Sequence, residues 1–384
     1  MIAPRFSADE IGLFFEDRHR ALGRELAPLA MALTAEVGHD PAKTARRMGE
    51  IGLYQHVVPR AGEKDIDVRA LVTIREALGY GHALGDAIFA VQGLASYPIA
   101  LEGTDAQRAA YADAIVRGER VGGFALTEPN AGSDVAGLET RARKDGDGWI
   151  LNGDKTLISN VGIADYFLIF ARAFDADVPE SKAITAFLVE ASLPGVTTTL
   201  LPMSSPHPLG SIALRDVRVP DSARVGAVGR GMALALRTLE TFRISVGAAA
   251  NGMAARALDE SIARTTSRKQ FGVPLSDQQI VRSYLADMAT ELDAARLLVA
   301  RAAHARDTTT GRPVKEVAMA KLFATEHAQT IIDRAVQLHG GSGVLTGSIV
   351  ESLYRDIRPL RIYEGTSEIQ RLVIARTLVE SKVT

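Results

Sequence analysis

The sequence predicts a multidomain α+β protein with a helical N-terminal part, a β-rich middle and a helical C-terminal part. Three observations predict it. The chain has 384 residues, too many for one simple core, and that length goes with two or three domains. Near Val121 the apolar pattern changes from helical spacing to short β-branched runs separated by turn residues. From about Gly229 it changes back. The expected domains are 1–120, 121–225 and 226–384.

Composition narrows the class. Apolar residues make up 47% and charged residues 23%, an ordinary globular balance rather than a disordered one. A formal net charge of -2 offers no basic field to nucleic acid or an anionic membrane. There are no cysteines, which excludes disulfides, iron–sulfur clusters, thiolate nucleophiles and Cys-ligated zinc and fits a reducing compartment. Asp9, Glu10, Glu16 and Asp17 near the start are unlike a signal or transit peptide. The apolar stretch Ala87 to Leu101 carries Gln92, Ser96 and Pro98 and is short for a bilayer span. The expectation is a cytoplasmic protein with no membrane span.

In the N-terminal part, Ser7 to Glu10 has capping-box spacing, followed by Ile11, Phe14, Phe15, Leu22 and Leu26. Pro41 starts a second helix with Met48, Ile51 and Leu53. Leu71 to Leu84 reads as a third and Asp105 to Arg117 as a fourth. In the middle, Trp149 to Leu151, then Asn152-Gly153, then Lys155 to Ile158 is the strongest hairpin signal. Tyr166 to Ala171, Ile184 to Val189, Val196 to Leu201 and Ser211 to Val219 read as further strands of a small barrel or sandwich. In the C-terminal part, long helices run from Met232 towards Arg264, from a cap in Ser276-Asp277-Gln278-Gln279 to about Arg306, and from Pro313 to Gly340-Gly341, with a short one over Ile349 to Asp356. Such helices with short connections are elements of a bundle.

Four segments could carry chemistry. The loop Thr127-Glu128-Pro129-Asn130-Ala131-Gly132-Ser133-Asp134 can offer N–H and O–H groups to a flat, polar-edged ligand, or be a plain turn. Arg268-Lys269-Gln270-Phe271-Gly272 sets an arginine beside an aromatic, suited to a phosphate and a ring, or to a solvated interhelix turn. Gln337-Leu338-His339-Gly340-Gly341-Ser342-Gly343 ends a helix with glycines, where His339 fits a dipole-favoured cap. Tyr363-Glu364-Gly365-Thr366-Ser367-Glu368-Ile369-Gln370 holds Glu364 just before a helix that Thr366 or Ser367 would cap, with Ile369, Leu372 and Val373 as its apolar stripe. Taken locally, Glu364 reads as a loop carboxylate favoured by the helix dipole. The histidines lack metal-ligand spacing, so no metal site is expected. Nucleotide fingerprints and a serine-hydrolase elbow are absent.

Together these four segments, in this order over nearly the whole chain, resemble the acyl-CoA dehydrogenase family. The resemblance implies a middle β-barrel between an N-terminal helical domain and a C-terminal four-helix bundle. It also implies FAD, usually in a homotetramer, with an electron-transfer flavoprotein as acceptor. Carried over by motif, Phe124, Leu126, Thr127 and Ser133 would contact the flavin, and Ser159 would lie beside it. Arg268, Gln270, Phe271, Gln278, Gln279, Gln337, Gly340 and Gly341 would hold the FAD of a neighbouring subunit, and Thr366 and Glu368 would complete the dinucleotide site. Ser133, Glu240, Arg243 and Gly365 match substrate-side positions. Glu364 takes the role of catalytic base, removing the α-proton of an acyl-CoA while the β-hydride passes to flavin N5, to give a trans-2-enoyl-CoA. Alternatives are the same chemistry on an acyl-carrier-protein thioester, or a flavin monooxygenase on this fold; Glu364 argues against the latter. The family often has tryptophan where Leu157 stands, and Pro202 to Gly210 departs from its usual loop.

Overall fold

The structure is a computed structural model and describes residues 4–59, 65–174 and 183–380. In chain order it runs through α1 (Ser7–Glu10), α2 (Asp17–Val37), α3 (Pro41–Glu50), α4 (Val68–Gly81), α5 (Ala83–Glu102) and α6 (Asp105–Val116). The strands follow: β1 (Gly122–Ala125), β2 (Arg141–Asp145), β3 (Gly148–Ser159), β4 (Tyr166–Phe174), β5 (Ile184–Glu190), β6 (Val196–Leu200), β7 (Leu209–Pro220) and β8 (Arg224–Val225). Then come α7 (Gly231–Ser267), the short pair β9 (Lys269–Gln270) and β10 (Val273–Pro274), α8 (Gln279–Thr308), α9 (Val314–His339), α10 (Ile349–Ile357) and α11 (Ser367–Glu380). The overall class is as expected: helices, a mixed sheet, then helices. Two compact units divide the chain, one from Met1–Gly38, Asp67–Asp86 and Arg243–Thr384, the other from His39–Ile66 and Ala87–Phe242.

In the first unit α4 is the central helix. Every residue from Val68 to Tyr80 is buried, so its charged residues need partners in place of water. Arg69 bonds Asp307 at 2.9 Å, Glu76 bonds Arg296 at 2.8 Å, and Arg75 bonds Asp86 through two 2.8 Å contacts. Glu76 also accepts the Ser7 N–H at 2.9 Å. This explains a departure at the N-terminus. The expected capping box at Ser7 does not form, and α1 is a single turn that ends at Glu10. The next helix starts instead at Asp17, beside a relay in which His19 takes the Glu16 N–H at 3.0 Å and reaches Asp67, the N-cap of α4. α9 packs against α8, α10 and α11.

In the second unit eight strands form one mixed sheet in the order β6-β7-β3-β2-β4-β5-β8, with β1 alongside β4. β1 and β2 run parallel to β4 and the other pairs are antiparallel. Among the described residues β6 and β8 remain its edges, with no strand pairing between them. Both faces are buried. Phe167, Ile169, Ala171, Phe187, Val189, Leu214 and Trp149 fill one side. Tyr166, Leu168, Phe170, Ile184, Ala186 and Leu188 face Ala95, Ile99, Ile115 and Leu234 from helices on the other. This is why β4 and β5 read as continuous apolar runs rather than alternating ones.

The expected hairpin at Asn152-Gly153 does not exist. β3 runs unbroken from Gly148 to Ser159 and pairs with β7. The turn lies earlier, at Gly146-Asp147, with Asp145 opposite Gly148 and Gly146 at φ 60°. Both Gly-Asp and Asn-Gly favour a two-residue turn, and packing selected the first. Asn152-Gly153 instead makes a bulge between Leu151 and Gly153. Asn152 bonds Asp216 at 3.0 and 2.9 Å. A Cβ on Gly153 would lie 2.4 Å from Thr140 Oγ1, so glycine lets the two segments meet.

A second departure is α5. The stretch 87–101 belongs to a 20-residue helix, long and apolar enough by composition to cross a membrane. It is a core helix here, with Ile88, Phe89, Ala95 and Tyr97 fully buried. Its polar residue Gln92 is satisfied at both ends, donating to the Arg120 carbonyl at 2.9 Å and accepting the Gly122 N–H at 2.8 Å. The third expected helix ends at Gly81, before His82 separates α4 from α5.

Candidate active site

The carboxylate loop lies in the first unit, between a 3₁₀ turn at Arg358–Arg361 and α11. Glu364 and Gly365 have consecutive positive φ angles of 53° and 94°. Glutamate rarely adopts that conformation, and the surroundings must hold it there. Arg243 Nε donates to the Glu364 carbonyl at 2.8 Å. Buried Lys321 Nζ and Gln370 Nε2 each donate to the Gly365 carbonyl at 2.9 Å. Both carbonyls are thus turned towards α7, α9 and α11. A Cβ on Gly365 would stand 2.7 Å from Gln370 Nε2, so a side chain there would displace the tether.

Thr366 caps α11, accepting the Ile369 N–H at 3.3 Å. Ser367 does not cap; its hydroxyl bonds Glu326, which also holds Arg361 at 2.9 and 2.7 Å. The expected apolar stripe of α11 is not what packs. Ser367 and Gln370 are its buried residues, while Leu372 is 64% exposed. The first turn of α11 is therefore anchored by polar groups, and these steady the loop.

The Glu364 carboxylate is held differently from its backbone. Oε2 is buried and has no hydrogen-bond partner among the described residues. Burial pushes its pKa above the ordinary 4.5, while Arg75, Arg243 and Lys321 pull against that and Asp86 adds to it. A carboxylate without a donor of its own, biased towards holding a proton, is equipped to take one from a bound molecule. The plain reading of Glu364 as a dipole-favoured surface group does not fit this burial.

The second unit carries the Thr127–Asp134 loop. It is clamped from beneath by a buried ion pair: Lys155 Nζ bonds Glu128 at 2.7 Å and the carbonyls of Leu126 and Phe170 at 3.2 and 2.6 Å. Glu128 also accepts the N–H groups of Thr140 and Glu139. Burial pushes the Glu128 carboxyl up, but Lys155 and these donors outweigh it and hold it below its ordinary value. Thr156 N–H reaches the Thr127 carbonyl at 3.1 Å. Leu126 is buried, Phe124 packs against Phe170 at 5.0 Å, and Ser133 is exposed. Leu157 protrudes from β3 with φ 55° and 59% exposure. Ser159 Oγ lies 2.7 Å from His207 Nε2.

Of the remaining predicted residues, Glu240 lies on α7 one turn before Arg243. Arg268 follows the end of α7, and β9 and β10 form a hairpin whose tip is Phe271-Gly272, at φ 53° and 84°. Phe271 is 97% exposed. Gln270, Gln279, Gln337, Gly340, Gly341 and Glu368 are also exposed, and Gln278 and Thr366 half-buried. Cβ atoms on Gly340 or Gly341 would meet nothing within 4 Å. His339 bonds the Ala335 carbonyl at 2.8 Å as a helix cap. Among the described residues no cluster of three or more histidines and acids could hold a metal ion.

Sequence reading missed the groups that support these residues. Arg75, Asp86, Lys321, Lys155, Glu128 and His207 sit in patterns that otherwise read as surface charge or turn. The usable signal was charge inside apolar stretches, as at Arg75 and Asp86 flanking Leu78 and Leu84.

The parts suit a flavin dinucleotide. The second unit holds a hydroxyl- and backbone-rich loop beside an exposed Leu157, and the first holds an arginine next to an exposed aromatic; groups of these kinds can bind a phosphate and a flat ring. The family models named acyl-CoA dehydrogenase N-terminal, middle and C-terminal domain match residues 9–119, 123–217 and 229–379. A 3-(aryl)acrylate reductase of Clostridium sporogenes is 37% identical, covering 96% of this chain and 100% of that one. The CarC subunit of a caffeyl-CoA reductase–Etf complex of Acetobacterium woodii is 34% identical, over 93% and 95%. A glutaryl-CoA dehydrogenase of Mycobacterium smegmatis, solved with FADH2, superposes with a TM-score of 0.88 at 28% identity, covering 96% of each chain.

Proposed function

The chain belongs to the acyl-CoA dehydrogenase family of FAD-dependent oxidoreductases, and we propose that it interconverts an acyl-CoA and its trans-2-enoyl-CoA with Glu364 as the proton-transfer group. The observation that carries this is the buried, partnerless Oε2 of Glu364 on a loop whose carbonyls are tied back by Arg243, Lys321 and Gln370. In the oxidative direction Glu364 takes the α-proton and the electrons of that C–H bond become the C2=C3 bond. FAD, when bound, supplies the hydride acceptor for the β-carbon. In this reading the backbone N–H of Glu364, which belongs to the preceding peptide, donates to the thioester oxygen as charge develops there. The chain's other work is to bind, orient and exclude water.

In this reading Phe124, Leu126, Thr127, Ser133 and Ser159 contact the flavin, and Ser133, Glu240, Arg243 and Gly365 lie on the substrate side. The set Arg268, Gln270, Phe271, Gln278, Gln279, Gln337, Gly340 and Gly341, exposed except for half-buried Gln278, serves the FAD of a second copy in a homotetramer, with Thr366 and Glu368 completing the site. Exposure of Phe271 at a strained turn supports this, because an aromatic in that position gains nothing within its own chain. The family matches at 9–119, 123–217 and 229–379 support domains at 1–120, 121–225 and 226–384. An electron-transfer flavoprotein is the partner, as the name of the Acetobacterium relative suggests.

The names of two relatives favour a second reading, net reduction of an enoyl or arylacryloyl thioester. By microscopic reversibility, protonated Glu364 would then deliver the α-proton. Anaerobic addition of short, long, branched and aryl-substituted acyl-CoAs should bleach the oxidised flavin band with at least one of them. A flavin bleached by none, but re-oxidised after chemical reduction by an arylacryloyl-CoA, would assign the reductive direction. Arg268→Ala should lower FAD retained through gel filtration by removing a phosphate partner; unchanged occupancy would remove Arg268 from the site.

A further inference from the structure

His207 stands in the Pro202 to Gly210 segment, which departs from the family loop. Its place is rigidly defined. Pro206 and Pro208 flank it and restrict the backbone on both sides. The loop base is closed where Leu201 N–H bonds the Leu209 carbonyl at 2.8 Å, and Leu209 N–H bonds the His207 carbonyl at 2.9 Å. Strand pairing sets Leu209 opposite Ser159 at the end of β3. The imidazole Nε2 then lies 2.7 Å from Ser159 Oγ. The other ring nitrogen, Nδ1, is buried with no partner among the described residues. Burial pulls the ring down to about 4, so at neutral pH it carries one proton.

Where that proton sits decides what Ser159 does. A buried N–H left without an acceptor is rarer in proteins than an under-used acceptor. Nδ1 is therefore the bare acceptor and Nε2 carries the hydrogen. The ring donates to Ser159 Oγ, which occupies one lone pair of that oxygen and leaves the serine hydrogen to point elsewhere. A serine that otherwise has three staggered rotamers and a free hydroxyl rotor becomes a directed donor.

We propose that His207 is a positioning residue for FAD that acts through Ser159, turning its hydroxyl into a fixed hydrogen-bond donor towards the flavin. This rests on the reading that places Ser159 beside the flavin. The test titrates apo-protein with FAD and records the dissociation constant and the shape of the visible flavin band. S159A and H207L should each weaken FAD by roughly threefold to tenfold, the span expected of one hydrogen bond, and shift the band in the same sense. The double variant should be no weaker than S159A alone, because the histidine then has nothing to direct. H207Q, whose amide nitrogen can stand where Nε2 stands, should restore affinity and spectrum. Wild-type behaviour of H207L, or losses that add in the double variant, would overturn the role of His207 while leaving that of Ser159. A protein that holds FAD and is indifferent to S159A would overturn the placement of Ser159, and this proposal with it.

Discussion

Glu364→Gln should keep FAD bound and lose turnover by about 10²–10⁴-fold, the usual contribution of a positioned base. Glutamine preserves size and cannot take a proton, so the loss reports the chemistry alone. The loop tethers use the backbone carbonyls of Glu364 and Gly365, so they survive the change. Near-normal turnover in E364Q would remove Glu364 from the reaction. The same residue sets the pH dependence. Only the ionised carboxylate accepts the α-proton, and burial raises its pKa above 4.5. Oxidation should therefore rise with pH through that elevated value, and reduction should fall. Stability runs the other way. The folded state holds the Glu364 proton more tightly than the unfolded chain, so this group's contribution is full below 4.5 and is lost as pH rises through the folded pKa. E364Q lacks this loss, so its stability relative to the parent should grow with pH above 4.5.

The second large effect is expected at Arg75. Its guanidinium is fully buried, bonds both oxygens of Asp86 at 2.8 Å and reaches Ser245 at 3.0 Å. Arg75→Met leaves the Asp86 carboxylate buried without its cation and should destabilise the fold by about 3–5 kcal/mol. Urea unfolding measures this. Because an apolar pair of similar volume can replace a buried ion pair with little loss, R75M/D86L should recover most of it. If the double variant falls as far as R75M, packing rather than the stranded charge explains the loss. Arg75 is also the strongest of the cations that oppose the burial of Glu364. R75M should therefore move the pH dependence of oxidation to higher pH, a shift that lost packing alone does not produce.

Local pattern located many of the elements. Periodicity found α3, α6 and the long C-terminal helices, because Pro41 at a helix start and Gly340-Gly341 at a helix end are chemical signals confined to a few neighbours. It failed where two local solutions were nearly equal. Gly146-Asp147 and Asn152-Gly153 are both good turns, and only the pairing of β3 with β7 selects one. It failed again at α11, whose anchoring face is polar because Glu326 and Arg361 lie beneath it.

The candidate site divides along the same line. The identity of Glu364, its place before a helix start, and the order of the four motifs are properties of the chain itself, so they could be read from it and implied FAD and acyl-thioester chemistry. The state of that carboxylate could not. Its ionisation is a balance between burial, which raises its pKa, and Arg75, Arg243 and Lys321, which lower it and lie 289, 121 and 43 residues away in sequence. The same holds for the proton on His207, which depends on Ser159 across 48 residues. Desolvation and Coulomb interaction act through space, so the folded arrangement of distant residues decides how a group ionises, whatever its neighbours in the chain.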